Sequence, residues 1–205
     1  MKRLMLSMFV ILAVALAMPV NADMAVKFFG TADATDASDL SPEIAQGIED
    51  SGVDVDGFAC FELPLLDIKT GHVVGIGVDC LNPFDDTGDA NGAGIQLEAK
   101  TFFFFPKGLI VNHGCTSVRP FFSGVGDAGV THMTGSIGPD ELDGAFGGNP
   151  PTECQNLGGI VHTSGGFKNH VGEVRLSGAV NLSAFPPTIT FSCLFTLDVV
   201  PRAKS

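Results

Sequence analysis

The chain has 205 residues, with 11 basic against 23 acidic side chains and a formal net charge of −12. This charge argues against binding to nucleic acid or to anionic lipid, because both kinds of binding need basic patches on the protein. Low charged content, 26 glycines and 17 phenylalanines favour one β-rich domain over a helical bundle.

The amino terminus has the organisation of a secretory signal peptide. Lys2 and Arg3 precede an apolar run over residues 4–18, and residues 20–22 offer a cleavage site. The run is short for a membrane span, which needs roughly 20 apolar residues. We therefore predict a signal peptide over residues 1–22, export to the periplasm or the extracellular space, and a mature chain without a membrane anchor. A retained amino-terminal anchor is the alternative.

Residues 23–52 are predicted to form an amino-terminal segment with one short helix. Ser41 can cap this helix, Pro42 suits its first turn, and Gly52 ends it. Residues 53–205 are predicted to consist of strands and turns, and they define the β-domain.

Residues 57–80 predict a β-hairpin that turns at residues 69–71. Folding the chain at Thr70 sets Cys60 opposite Cys80. Opposed residues of antiparallel strands have Cβ atoms about 4.5–5.5 Å apart, which is near disulfide distance. We therefore predict a Cys60–Cys80 disulfide, which fits an oxidising compartment.

The strand at residues 102–105 consists of four phenylalanines, so it is apolar on both faces. In a barrel one face meets the interior, and the other face then needs a cover. A partner subunit is the cover that we favour, and we predict a homo-oligomer. The alternative cover is the long segment over residues 116–158, which is rich in Gly, Pro, Asp and Asn.

The last two strands show clear alternation of apolar and polar side chains. Apolar positions of the final strand share one face: Ile189, Phe191, Cys193, Phe195, Leu197 and Val199. Those of the preceding strand do the same: Val174, Leu176, Val180 and Leu182.

Five cysteines in an exported chain leave one unpaired. Cys115 and Cys154 bracket the long segment, and we predict that they form a second disulfide. Cys193 lies on the apolar face of its strand and is predicted to be a buried free thiol. The five histidines lie apart, and the chain has no H-E-x-x-H or Cys-x-x-Cys spacing. Residues 84–98 imitate a calcium loop, but Thr87 stands at its first position and no helices are expected to flank it, so a solvated turn is favoured. The sequence therefore predicts neither a metal nor a cofactor.

Three stretches resemble the allene oxide cyclase and dirigent superfamily. PLLDIKTGHVVGIGVDC is similar to its early hairpin, in which Pro-Leu precedes a turn and a V-G-x-x-x-G strand. KTFFFFPKGLIVNHG is similar to its central T-F-x-F followed by G-x-I-x-x-x-G. VHTSGGFKNHVGEVRLSG is similar to its V-T-G-G-T-G-x-F-x-x-A-x-G-E-V signature. The stretches occur in family order and span most of residues 57–200.

The resemblance implies an all-β fold: an eight-stranded antiparallel barrel with a ligand cavity, commonly a trimer, here with a loop insertion at about residues 116–158. Dirigent proteins steer the coupling of phenoxy radicals, and allene oxide cyclases close a fatty-acid epoxide into a cyclopentenone. Two departures matter for the chemistry. The chain has no Tyr and no Trp, and Val171 stands where dirigent proteins often carry a basic residue.

Glu62 is the candidate catalytic residue, because it matches the acidic position before Pro-Leu in the dirigent pattern. It shares a strand face with Phe58, a candidate ligand contact, and an apolar environment would raise its pKa. Arg175 and Asp198 are candidate polar anchors for a ligand. Alternation along strands favours the other interpretation, in which Glu62, Arg175 and Asp198 are solvated or paired at the surface.

Three functions remain open. The first is an exported dirigent-like barrel that binds a small apolar or aromatic molecule and guides its cyclisation or coupling, with no nucleic acid or membrane partner. The second is a non-catalytic, calycin-like ligand-binding barrel. The third is a structural, oligomeric extracellular protein. A polar group in the cavity favours the first, an apolar cavity the second, and a filled interior the third.

Overall fold

The structure is a computed structural model, and it describes residues 22–33, 40–85, 95–120, 130–136, 159–181 and 188–203. Residues 1–21 of the predicted signal peptide lie outside these ranges, as do Cys154 and much of the segment over residues 116–158. None of the helices in the described ranges is both long and apolar enough to cross a membrane.

The described chain contains one α-helix, one 3₁₀ turn at Gly165–Phe167, and nine strands. The elements in chain order are β1 (Ala22–Asp33), α1 (Pro42–Ser51), β2 (Ala59–Asp67), β3 (Val73–Asp85), β4 (Ile95–Phe105), β5 (Gly108–Pro120), β6 (Val130–Ser136), β7 (Ile160–Thr163), β8 (His170–Asn181) and β9 (Thr188–Pro201).

Eight antiparallel strands form a nearly closed barrel. The strand order is β4-β3-β2-β1-β9-β8-β6-β5, and β5 pairs with β4 over 11 residue pairs. The short strand β7 pairs with β5 beside β6. Closing the sheet uses the backbone groups that an edge strand would otherwise expose. The predicted all-β barrel of eight antiparallel strands with a short amino-terminal helix is thus confirmed at this level.

The barrel begins earlier in the chain than the sequence analysis placed it. Strand β1 pairs with β2 on one side and with β9 on the other. Its side chains alternate, because Val26 and Phe28 are buried while Phe29 is 46% exposed. This short alternation is the signal of a strand in the segment over residues 23–52, for which we had predicted only a helix.

Helix α1 has the predicted bounds, and Gly52 is its C-cap. Ser41 occupies the N-cap position, but its side chain makes no capping hydrogen bond, because its hydroxyl donates to Glu62 instead. Gly52 has a φ of 70°, a left-handed conformation that glycine adopts without strain. The helix lies against the outer surface of the barrel through Ile44 and Ile48, which are both buried.

A second apolar core, the outer core, lies between α1 and the outer face of strands β2 to β5. Its buried members are Leu40, Ile44, Ile48, Val55, Phe58, Cys60, Val78, Cys80, Phe102, Leu109 and Val111. Phe102 and Phe104 stack with ring centroids 6.3 Å apart. A Cβ at Gly47 would lie 2.5 Å from the Phe104 ring, so only glycine lets the helix come this close.

Helix α1 is therefore the cover of the outer phenylalanines, and Phe102 is fully buried within a single chain. Neither a partner subunit nor residues 116–158, the two covers that we considered from the sequence, is needed for Phe102. The homo-oligomer stays a prediction, without this argument in its favour.

The predicted hairpin and its disulfide are confirmed. Cys60 pairs in register with Cys80 across β2 and β3, and their sulfur atoms are bonded at 2.07 Å. Cys115 is also disulfide-bonded, and the pairing with Cys154 involves a residue outside the described ranges. Cys193 is a buried free thiol, as predicted.

Candidate functional site

The barrel interior is mostly apolar and contains aromatic rings from several strands. Phe28 and Phe61 each make edge contacts with Phe191, at centroid distances of 5.1 Å. Phe103 contacts Phe195 in the same way at 5.2 Å. Such edge-to-face contacts are favourable beyond the area that they bury.

One wall of this interior carries a polar row, which consists of Asp79, Thr101 and Asn112. The three residues lie side by side on adjacent strands, because Asp79 pairs with Thr101 and Thr101 pairs with Asn112. Each is at most 3% exposed. Residues two positions apart on a strand share a face, and Leu81 and Phe103 belong to the interior core. The side chains of the polar row therefore face the interior.

The Asp79 carboxylate has one bonded and one unbonded oxygen. The Thr101 hydroxyl donates a hydrogen bond of 2.7 Å to Oδ1. Oδ2 has no hydrogen-bond partner, and neither has Oδ1 of Asn112. Buried polar atoms without a partner among the protein's own groups are rare and cost free energy, so two in one row make this wall a candidate binding site.

Burial raises the pKa of Asp79 from 3.8 to about 6, and the hydrogen bond from Thr101 opposes this shift only in part. A buried carboxylate with a raised pKa can exchange a proton near neutral pH. Perturbed acids of this kind are common at functional sites, since acid–base chemistry needs them.

Cys193 of β9 is a second buried titratable group of the interior, as far as the described residues show. Burial raises its pKa to about 12, and the nearby charge of Asp79 contributes to this shift. The thiol is therefore protonated at physiological pH and is a poor nucleophile.

Glu62, the predicted catalytic residue, lies on the outer face of the barrel. It pairs with Val78 of the outer core, and it shares that face with Phe58 and Cys60, as the alternation predicted. Its carboxylate accepts hydrogen bonds of 3.1 Å from the backbone nitrogen and the hydroxyl of Ser41. Glu62 thus fastens the start of α1 to the barrel, and its catalytic role stays a prediction without support from this position.

The other predicted ligand contacts are also outside the interior. Phe58 is buried in the outer core, with the Lys100 ammonium 4.2 Å from its ring centroid. Arg175 and Asp198 are exposed on the outer faces of β8 and β9, and Arg175 donates to Glu173 at 2.6 Å. The structure therefore does not bring Glu62, Arg175 and Asp198 together around one cavity.

The sequence analysis missed the polar row, although the hairpin register contained the signal for Asp79. Once Cys60 and Cys80 face each other on one side of the sheet, Asp79 and Phe61 must occupy the other side. A lone aspartate on a strand is ordinarily expected to be solvated, and this expectation masks what the register implies. Thr101 and Asn112 carried no local signal, since their burial depends on barrel closure.

No group of three or more His, Cys, Asp and Glu side chains within the described ranges could hold a metal ion. No protein-family model matches the chain, and no significantly similar protein was found among curated proteins or solved structures. The site must therefore be interpreted from its own geometry.

Proposed function

We propose that the protein is an exported barrel of the allene oxide cyclase and dirigent type, which binds a small apolar or aromatic molecule in its interior and guides the cyclisation or coupling of that molecule. The observation that carries this proposal is the polar row in an otherwise apolar interior. An apolar wall with a few polar groups is the usual composition of a small-molecule site.

In this proposal Asp79 takes the part that the sequence analysis gave to Glu62. Asp79 lies inside the barrel, its pKa of about 6 is near neutral pH, and one of its oxygens has no hydrogen-bond partner. Such a group can donate or accept a proton while the surrounding phenylalanines set the shape of the ligand. A non-catalytic, calycin-like carrier would have no need of this buried acid.

A second candidate function is a structural, oligomeric extracellular protein, and the contacts among the interior phenylalanines favour it. A barrel filled by its own side chains leaves no room for a ligand. Phe29, Ile68 and Leu194 add to this case, because they are 46%, 50% and 40% exposed beside a groove of about 500 Å³ on the outer surface. Exposed apolar groups of this kind are typical of subunit contacts.

Export to the periplasm or the extracellular space is part of the proposal. The buried Cys60–Cys80 disulfide is compatible with an oxidising compartment. The homotrimer and the disulfide between Cys115 and Cys154 also remain proposals.

Native mass spectrometry of the mature protein, purified from the cells that produce it, tests the function. We expect wild-type protein to carry a small apolar or aromatic compound, and Asp79→Asn to carry less of it. Asp56→Asn is the matched control, because it makes the same change at an exposed carboxylate in the connection between α1 and β2. A ligand-free oligomer with equal spectra for all three proteins would support the structural candidate and contradict the proposal.

A further inference from the structure

We propose that the polar row holds one exchangeable proton, and that a ligand with a hydrogen-bond donor binds in the interior by displacing this proton. The inference rests on the proposed function, because it assigns the class of ligand and its regulation by pH to the same site. It adds one consequence, which is that binding of the ligand releases a proton.

Two oxygen atoms of the polar row have no hydrogen-bond partner among the protein's own groups. Oδ2 of an ionised Asp79 and Oδ1 of Asn112 are both acceptors, and neither has a donor. The hydroxyl of Thr101 donates to the other Asp79 oxygen, so it is not available to Oδ2. Both atoms therefore need a hydrogen-bond donor.

The described side chains around Asp79 carry no positive charge. Phe61 faces it from β2, Thr101 from β4, and Asn112 stands beyond Thr101 on β5. Cys193 of β9 is the one titratable group near it among the described residues, and this thiol is neutral because its pKa is about 12. The buried polar side chains of the described interior thus include no cation that could balance the carboxylate.

Two kinds of donor suit such a site and differ in their dependence on pH. A proton on Asp79 removes the buried charge and turns Oδ2 from an acceptor into a donor. A ligand hydroxyl can instead donate to the ionised carboxylate, in a charge-assisted hydrogen bond. In that exchange the carboxylic acid loses its proton to solvent, and the ligand hydroxyl keeps its own.

The exchange predicts the pH dependence of binding. The ligand requires ionised Asp79, so its apparent affinity falls as the ionised fraction falls. With a pKa of about 6 in the unliganded barrel, the dissociation constant should be about tenfold higher at about pH 5 than at about pH 7. Binding should release close to one proton per ligand at the lower pH.

The experiment uses two probes of nearly equal shape, 2-naphthol and 2-methoxynaphthalene, of which only the first has a hydroxyl donor. Their fluorescence reports binding without protein background, because the chain contains no Tyr and no Trp. Calorimetry in two buffers with different ionisation enthalpies counts the protons that are released. Wild type, Asp79→Asn and the control Asp56→Asn are compared at both pH values.

We expect wild type and Asp56→Asn to prefer 2-naphthol by about tenfold or more at neutral pH, the size of a hydrogen bond to a charged group, and to lose this preference at low pH. We expect Asp79→Asn to bind both probes alike at every pH. The pH series and the probe pair can be measured on wild type alone, so the test does not depend on the variant's folding.

Other outcomes separate the two proposals. Equal binding of the two probes by wild type at both pH values, or tighter binding of 2-naphthol at the lower pH, overturns proton displacement while leaving an apolar interior site in place. If neither probe binds wild type at either pH, the interior does not take aromatic molecules of this size, and the proposed function falls together with the inference.

Discussion

The two apolar cores of the molecule differ in how they treat polar groups. The outer core beneath α1 contains a disulfide, stacked phenylalanines and a helix that glycine brings into close contact. The barrel interior is equally buried, yet it includes a carboxylate with an unpartnered oxygen. The outer core is built as stability would require, whereas the interior accepts a cost that stability alone does not explain. This difference is the reason for looking for function inside the barrel.

The largest expected change in stability is at Phe102 in the outer core. Phe102→Ala should lower the free energy of unfolding by about 3–5 kcal/mol, because it leaves a cavity under α1. Urea denaturation measures the change. Phe29→Ala is the control, since Phe29 is 46% exposed, and it should change stability by less than about 1 kcal/mol. Equal effects of the two substitutions would contradict the role of α1 as a cover.

The disulfide of the outer core should have the next largest effect. Replacing both Cys60 and Cys80 by alanine should cost about 3 kcal/mol, because their bond closes a loop with a sequence separation of 20 residues. The melting temperature should fall accordingly. An unaltered melting transition in the double variant would show that the bond adds nothing to the packing around it.

Substitution of Asp79 in the interior should raise stability, whereas the substitutions in the outer core lower it. The pKa of Asp79 is about 6 in the folded barrel, against 3.8 as its ordinary value. The folded state therefore binds the proton more tightly than the unfolded state, and this contribution to stability is complete below about pH 4 and is lost as the pH rises through 6. A shift of two pKa units corresponds to about 3 kcal/mol.

We accordingly expect Asp79→Asn to be more stable than wild type by up to about 3 kcal/mol at neutral pH and equal to it near pH 4. The amide also supplies the donor that the polar row lacks. Chemical denaturation across the pH range measures both limits. A loss of stability at neutral pH would mean that the ionised carboxylate has a stabilising partner, and the contrast between the cores would disappear.

The smallest effect concerns the fastening of α1. Glu62→Gln should lower stability by about 0.5–1.5 kcal/mol, because the neutral amide is a weaker acceptor for the Ser41 donors. Glu49→Gln, at an exposed position of the same helix, is the control. Loss of a ligand-dependent activity in Glu62→Gln at unchanged stability would restore the catalytic role that the sequence analysis gave to Glu62.

Features set by local chain geometry could be predicted from the sequence. The bounds of α1 and its C-cap at Gly52 depend on neighbouring residues, and the pairing of Cys60 with Cys80 follows from one turn and the period of a strand. Features that require the closed barrel could not be obtained in the same way. The outer face of Phe102 is covered by a helix from far along the chain, and hairpin register alone does not reveal which face becomes the interior.

Asp79 is the most instructive case, because pattern and chemistry pointed in opposite directions. The hairpin register places Asp79 on the face opposite the disulfide, whereas a charged side chain ordinarily prefers solvent. Barrel closure buries the face on which the register places Asp79, and this burial raises the pKa of Asp79. A charged residue that the pairing pattern sends to the inside is thus a useful sign of a site.

The pairing of the first strand with the last has a consequence for the time course of folding. Strands β1 and β9 share 12 residue pairs, and even the nearest of these partners, Asp33 and Thr188, are 155 residues apart in the chain. Such distant pairs must wait until residues 188–199 have been synthesised, and folds dominated by pairs of this kind form slowly. Until residues 188–201 emerge, β1 lacks its longest partner and the barrel cannot close. The geometry of this one seam therefore delays closure of the barrel until β9 has been synthesised.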